Sequence, residues 1–204
     1  MANLIVAAGA NRVLTMDLHA NQIQGFFDIP VDHLYAINVL CEYFIDKKMK
    51  NLVVVSPDVG GIKMARAYAK RLNAGLAIVD KRRASPEKTE VMHILGSVTG
   101  KTAIIVDDIV ATAGSVIEAI GFLTKKGVKN VYAAISHGVL SGPALERIRT
   151  CSALKEIVIT SSIPLKNPEK NPKVKVLSVA PLLAEAIHRI HDEQSISCLF
   201  DEPK

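Results

Sequence analysis

Tryptophan is absent from the 204 residues, and aromatic residues make up only 4% of them. A core built on rings is therefore excluded, and aliphatic side chains must fill it, as in buried parallel strands rich in Val and Ile. Cysteine is scarce too. Cys41, Cys151 and Cys198 are widely spaced with no Cys-x-x-Cys pair, which excludes a disulfide framework and a zinc ribbon and suits free thiols of a reducing compartment. No basic stripe interleaved with aromatics is present, so a single-strand nucleic-acid binder is not expected. The apolar start, Met1 to Gly9, has neither a basic leader region nor a run long enough to span a bilayer. A cytoplasmic protein that contacts neither nucleic acid nor membrane is the expectation. The net charge of +5, from 25 Lys and Arg against 20 Asp and Glu, is mild, and suits small polyanionic ligands.

Apolar residues are plentiful, at 49%, enough for a large buried core. Short apolar runs alternate with helical periodicity along most of the chain, the pattern of βαβ units and a mostly parallel sheet flanked by helices, an α/β fold. Strands are expected at 12–16, 52–56, 74–79, 103–106, 130–136, 157–160 and 174–177. Helices are expected at 35–48, 61–72, 115–126, 143–150 and 181–192, with Gly75 and Gly127 as helix-closing glycines. The charged run Lys81 to Lys88 reads as a mobile loop, and Lys166 to Lys175 as a solvated one.

Chemistry gathers at strand ends. The run Ala103-Ile104-Ile105-Val106 delivers Asp107 and Asp108 to a strand's carboxyl end, where open α/β sheets bind ligands. Ala111, Thr112, Ala113, Gly114 and Ser115 follow and open a helix, offering backbone N–H groups to a phosphate. Ser56-Pro57-Asp58-Val59-Gly60-Gly61 reads equally as a pyrophosphate cradle, with glycines permitting positive φ, or as a tight turn capped by Asp58. Asp17 and His19 are spaced to share one face of an extended chain, either as a metal or phosphate pair or as a structural one. The cations of Lys81-Arg82-Arg83 follow another strand's end on the same rim. Together these suit positioning and charge neutralisation of a phosphorylated sugar and a polyphosphate in the presence of Mg2+.

Over nearly its whole length the chain resembles the ribose-phosphate pyrophosphokinases. The resemblance is carried by Asp17-Leu-His-Ala-Asn-Gln-Ile-Gln-Gly-Phe-Phe-Asp-Ile-Pro30, Ser56 to Gly61, Asp80-Lys-Arg-Arg83, Val106-Asp-Asp108 and Ser136-His-Gly-Val-Leu-Ser-Gly-Pro143. It implies a type I phosphoribosyltransferase-like fold and transfer of the diphosphoryl group of ATP to ribose 5-phosphate. It also implies a role for each motif. Asp107 and Asp108 would hold the ribose hydroxyls, and Thr112, Ala113, Gly114 and Ser115 the 5-phosphate. His19, Asp58, Gly60 and Gly61 would meet the ATP phosphates, Asp17, His19 and Asp58 would hold Mg2+, and Lys81 and Arg83 would act as catalytic cations. The family's dimer-based hexamers imply a homo-oligomer, for which 22–27 and 33–36 are interface or core segments.

Two departures accompany the resemblance. Residues 1–30 would be the remnant of an N-terminal domain and inter-domain segment, with 31–204 the C-terminal phosphoribosyltransferase-like domain. Ala111 stands where the family usually carries an acid. Both leave a second reading, a non-catalytic regulatory or binding protein that joins synthetase oligomers.

Overall fold

The computed structural model describes residues 1–82, 91–166 and 170–200. Its centre is a seven-stranded sheet formed by β3 (Leu52–Ser56), β4 (Gly75–Arg82), β5 (Val91–Leu95), β6 (Thr102–Val110), β7 (Asn130–Gly138), β8 (Leu154–Thr160) and β9 (Val174–Leu177). The strand order is β5-β4-β3-β6-β7-β8-β9. All neighbours run parallel except β4 and β5, which pair antiparallel with Asp80 opposite His93. Crossovers are made by α3 (Ile62–Arg71), α4 (Gly114–Lys125) and α5 (Ala144–Thr150), with α2 (Ile37–Asp46) before β3 and α6 (Ala180–His191) after β9.

Alternation along the central strands builds two cores. Val53, Val55, Ala103, Ile105, Ala133 and Ile135 face α4 and α5, where Val116, Ile120, Leu123 and Ile148 pack onto them. Val54, Ile104, Val106 and Ala134 face the other way, against Leu40 and Phe44 of α2 and Ala65 and Tyr68 of α3. Every one of these residues is almost fully buried, which is why the strands read as continuous apolar runs.

A small second sheet precedes this body. Strand β1 (Val13–Met16) pairs parallel with β2 (Val31–Leu34), in register from Val13 opposite Val31 to Met16 opposite Leu34. The expected domain boundary after residue 30 thus falls between two paired strands, and a 3-10 helix, Asn21–Phe26, links them. The short N-terminal helix α1 (Ala2–Ala7) runs up to Gly9, whose φ is +101°. No described helix is long and apolar enough to cross a membrane.

Several local expectations are corrected. Helix α2 begins at Ile37 because 31–34 is strand, and Leu34 and Ala36 are fully buried. Of the two segments weighed for an interface, 22–27 therefore stays at the surface, with Phe26 71% exposed. Gly75 opens β4; the left-handed turn after α3 falls on Asn73, with φ +46°. Gly127 does close α4, with φ +81°. Lys81 and Arg82 belong to β4, while the rest of the expected mobile loop, 83–88, lies outside the described residues. All three cysteines are free.

Candidate functional site

A cavity of about 690 Å³ opens over the carboxyl ends of β3 and β6. Asp17, His19, Asp58, Gly60, Gly61, Asp107 and Asp108 all line it, so motifs from three separate stretches of sequence meet in one place. Lys63 lines it as well and was missed by sequence reasoning. A signal was available. Lys63 is the second residue of α3, whose first turn has no acid, and a cation beside the positive end of a helix dipole is unfavourable unless an anion joins it.

The loop after β3 is closed by its own side chains. Ser56 Oγ donates to the Asp58 carbonyl at 2.6 Å, and Gly61 N–H donates to Asp58 Oδ1 at 3.0 Å. The tight turn expected as one alternative is thus present beside the cavity, but the helix cap is not: Gly61 is the N-cap of α3, and no side chain caps that helix. Gly60 and Gly61 do not use positive φ. Their smallness serves contact instead: a Cβ on Gly61 would stand 2.7 Å from Ser56 Oγ, and one on Gly60 would stand 3.2 Å from Asp58 Oδ1.

Asp17 and His19 do not share an extended face. Asp17 takes φ +42°, which ends β1 and turns its carboxylate inward to a 6% exposed position. There Oδ2 accepts Ala36 N–H at 2.9 Å and Ser136 Oγ–H at 2.5 Å. His19, two residues on, is open to solvent, with its Nδ1 at 2.7 Å from Asp108 Oδ2. Among the described residues no group of three His, Cys, Asp or Glu side chains is placed to hold a metal ion.

Electrostatics separates the two neighbouring carboxyls of β6. Burial, reinforced by a hydrogen bond and the charge of Asp108, pushes the Asp107 carboxyl up to about 7. Asp107 Oδ1 accepts the N–H of Asp108 at 3.0 Å. His19 is shifted the other way in charge, toward its cationic form, first by its hydrogen bond to Asp108 and then by the charge of that carboxylate. One acid therefore keeps its proton to higher pH than an ordinary carboxyl while its neighbour is hydrogen-bonded to an imidazole, a set able both to donate to and accept from a diol. With Nδ1–H committed to Asp108, the far nitrogen Nε2 of His19 presents a lone pair when neutral and a donor when protonated.

The phosphate-loop residues stand apart from the cavity lining. Thr112 and Ser115 are exposed, Ala113 is buried, and Gly114 opens α4. Ala113 adopts φ +59°, ψ +8°, a left-handed geometry that turns the chain into the helix. The loop is braced from outside: Arg147 Nη1 of α5 donates to the Thr112 carbonyl at 2.9 Å, and Ser141 N–H donates to the Ala111 carbonyl at 2.9 Å. Drawing those carbonyls outward leaves the helix-opening N–H groups for an anion. Arg147 was not legible, since its partner lies 35 residues away. Lys81 sits in β4 beyond Ile78, which pairs with Ser56 at the end of β3; Arg83 lies outside the described residues.

This mostly parallel sheet with polar groups gathered at its carboxyl rim defines a phosphoribosyltransferase-like α/β protein. The family model described as "Phosphoribosyl synthetase-associated domain" matches residues 81–201, and the chain belongs to that family. Curated relatives named "Ribose-phosphate pyrophosphokinase" include one from Clostridium acetobutylicum, 55% identical over 99% of this chain and 64% of its own length. Another, from Bacillus subtilis strain 168, is 55% identical over 98% of this chain and 62% of its own length. The chain thus spans somewhat under two-thirds of these relatives. The crystal structure of phosphoribosylpyrophosphate synthetase from Mycobacterium smegmatis superposes with a TM-score of 0.87 at 39% identity, covering 94% of this chain and 62% of that one.

Proposed function

We propose that this chain carries the sugar-phosphate site of a ribose-phosphate diphosphokinase. The reaction moves the diphosphoryl group of ATP to the anomeric oxygen of ribose 5-phosphate, giving phosphoribosyl pyrophosphate and AMP. One observation supports it above the rest: the Asp107–Asp108 pair, the Asp58–Gly61 loop and His19 converge on a single cavity. In this reading Asp107 and Asp108 hold the ribose hydroxyls, while Thr112, Ala113, Gly114 and Ser115 hold the 5-phosphate. His19, Asp58, Gly60 and Gly61 face the polyphosphate, with Lys63 beside them, and Lys81 and Arg83 stabilise the transferring charge.

The His19–Asp108 pair has the form of a histidine oriented by a carboxylate for a cation at its free nitrogen. His19 and Asp58 would hold Mg2+, with most of its remaining ligands from phosphate oxygens and water. Asp17, also expected there, contributes through the turn that carries His19, since its Oδ2 is engaged by the fold. When bound, the ion neutralises phosphate charge. A cytoplasmic homo-oligomer belongs to the same proposal, with the exposed Phe26 and Leu4 as apolar contact candidates.

Calorimetric titration with ribose 5-phosphate in Mg2+ tests the site, and AMP release from ATP plus ribose 5-phosphate tests the reaction. Saturable binding and AMP release are expected. Binding without AMP release would support the non-catalytic reading that Ala111 raised, and no binding of ribose 5-phosphate or phosphoribosyl pyrophosphate would sink both.

A further inference from the structure

Behind the cavity lies a buried polar cluster at the carboxyl ends of β7 and β8 that makes no contact with a proposed ligand. Its members are Ser136, His137, Thr160 and Ser162, with Ser136 and Thr160 fully buried. Ser136 Oγ donates to Asp17 Oδ2. His137 Nε2 lies 3.0 Å from the carbonyl of Met16 and 3.1 Å from that of Asp17, so that nitrogen carries the proton and donates to both. Its other nitrogen, Nδ1, meets Ser162 Oγ at 2.8 Å. Thr160 Oγ1 donates to the Ser136 carbonyl at 2.6 Å and fixes the strand from which both side chains project.

The bonds from Ser136 Oγ and His137 Nε2 converge on a turn that would not persist unaided, and those of Thr160 and Ser162 hold the two residues from behind. A left-handed aspartate costs about 1 kcal/mol or more, and the turn is held by Asp17 N–H to Leu34 O at 3.0 Å, by Ala36 N–H on the carboxylate, and by Ser136 and His137 from the main sheet. Two residues further on, the same turn presents His19 across to Asp108. We infer that Ser136 and His137 are positioning residues: acting through the strained Asp17 turn, they set where His19 meets a diphosphate. The inference rests on the reading of His19 given above.

The test is a double-variant cycle read by calorimetry with two ligands in Mg2+, phosphoribosyl pyrophosphate and ribose 5-phosphate. Only the first carries the diphosphate. His137→Ala is expected to weaken phosphoribosyl pyrophosphate binding about tenfold while leaving ribose 5-phosphate within about twofold, and His137→Gln, which keeps a donor, to restore most of the loss. In a His19→Ala background, His137→Ala should cost nothing more, because residues acting through one another do not add. If His137→Ala does not fold, Ser136→Ala, which removes only the bond to Asp17 Oδ2, runs the same cycle. Additive losses, or equal weakening of both ligands, would overturn the inference and leave the proposed function standing. Unchanged phosphoribosyl pyrophosphate binding in His19→Ala would remove the role on which it rests, and a wild-type chain that binds neither ligand would overturn both readings.

Discussion

The loops that follow β3 and β6 emerge side by side at one rim yet are fastened in opposite ways. Ser56 to Gly61 is closed from within, by Ser56 and Asp58 bonding inside the same six-residue stretch, with no positive φ at its glycines. Ala111 to Ser115 contains a left-handed alanine and is braced from α5 and the segment after β7. The first loop is closed by contact at its two glycines, where its own side chains leave little space for a Cβ. The second is held in a strained form by distant partners, so it can respond to changes elsewhere in the fold.

Gly61→Ala should break the first loop most severely. Its new Cβ would lie 2.7 Å from Ser56 Oγ, which is buried and bonded to the Asp58 carbonyl. A loss of roughly 3 kcal/mol is expected from such overpacking, seen as a lower urea midpoint. The clash is with the oxygen; Ser56 Cβ would be 4.0 Å away. Ser56→Ala should therefore rescue most of the loss in the double variant, and failure to rescue would show that the loop is not closed by this contact.

Asp107 gives the strand leading into the second loop a pH dependence. Its ordinary value is 3.8, and burial raises it to about 7 in the fold. Between those values the native chain binds more protons than the unfolded one, so this group makes stability fall as pH rises from about 4 to about 7. Asp107→Asn should flatten that decline and stabilise the chain by on the order of 2 kcal/mol at neutral pH. Melting temperatures across that range, compared between wild type and variant, decide it. Parallel curves would mean that Asp107 ionises freely.

Arg147→Ala tests the external brace. The exposed guanidinium bonds one carbonyl, so stability should change by less than about 1 kcal/mol. Ribose 5-phosphate affinity should nevertheless fall about tenfold, as Thr112 is freed to turn its carbonyl toward the anion. Unchanged affinity on titration would show that the loop keeps its shape without α5.

The contrast between the loops also explains what could be read from the sequence. Strand-end carboxylates and a Gly-Gly turn are local signals, and Asp58, Gly60 and Gly61 fall after β3 as the βαβ pattern puts them. Asp107 and Asp108 were expected beyond a strand ending at Val106, but β6 runs on to Val110 beside β7 and carries both within its last residues. The central strands were legible because both faces are apolar, as in Leu52 to Val55. Strand β2 escaped because adjacent Asp32 and His33 interrupt Val31 to Leu34, which is then neither an apolar run nor an alternating one, and because no α-helix lies between it and β1. Strand β5 escaped because it pairs antiparallel at the sheet's edge, outside the repeating unit. The inward turn of Asp17 depends on Ser136, 119 residues away, and Arg147 on Thr112; no spacing rule encodes either.

The smallest expected effect is also the sharpest test of strain. Ala113→Gly removes the penalty of a left-handed alanine, about 1 kcal/mol, but also deletes a methyl buried to 3% exposure in the main core, which costs about the same. Added freedom of glycine in the unfolded chain takes back a little more. Net stability should therefore stay within about 0.5 kcal/mol by urea titration, whereas the same substitution at Ala119, fully buried in the helix that this loop opens, relieves no strain and should cost clearly more. Equal losses at the two positions would mean that the left-handed geometry at Ala113 stores no energy, and the distinction between a loop closed by contact and one held under tension would fall with it.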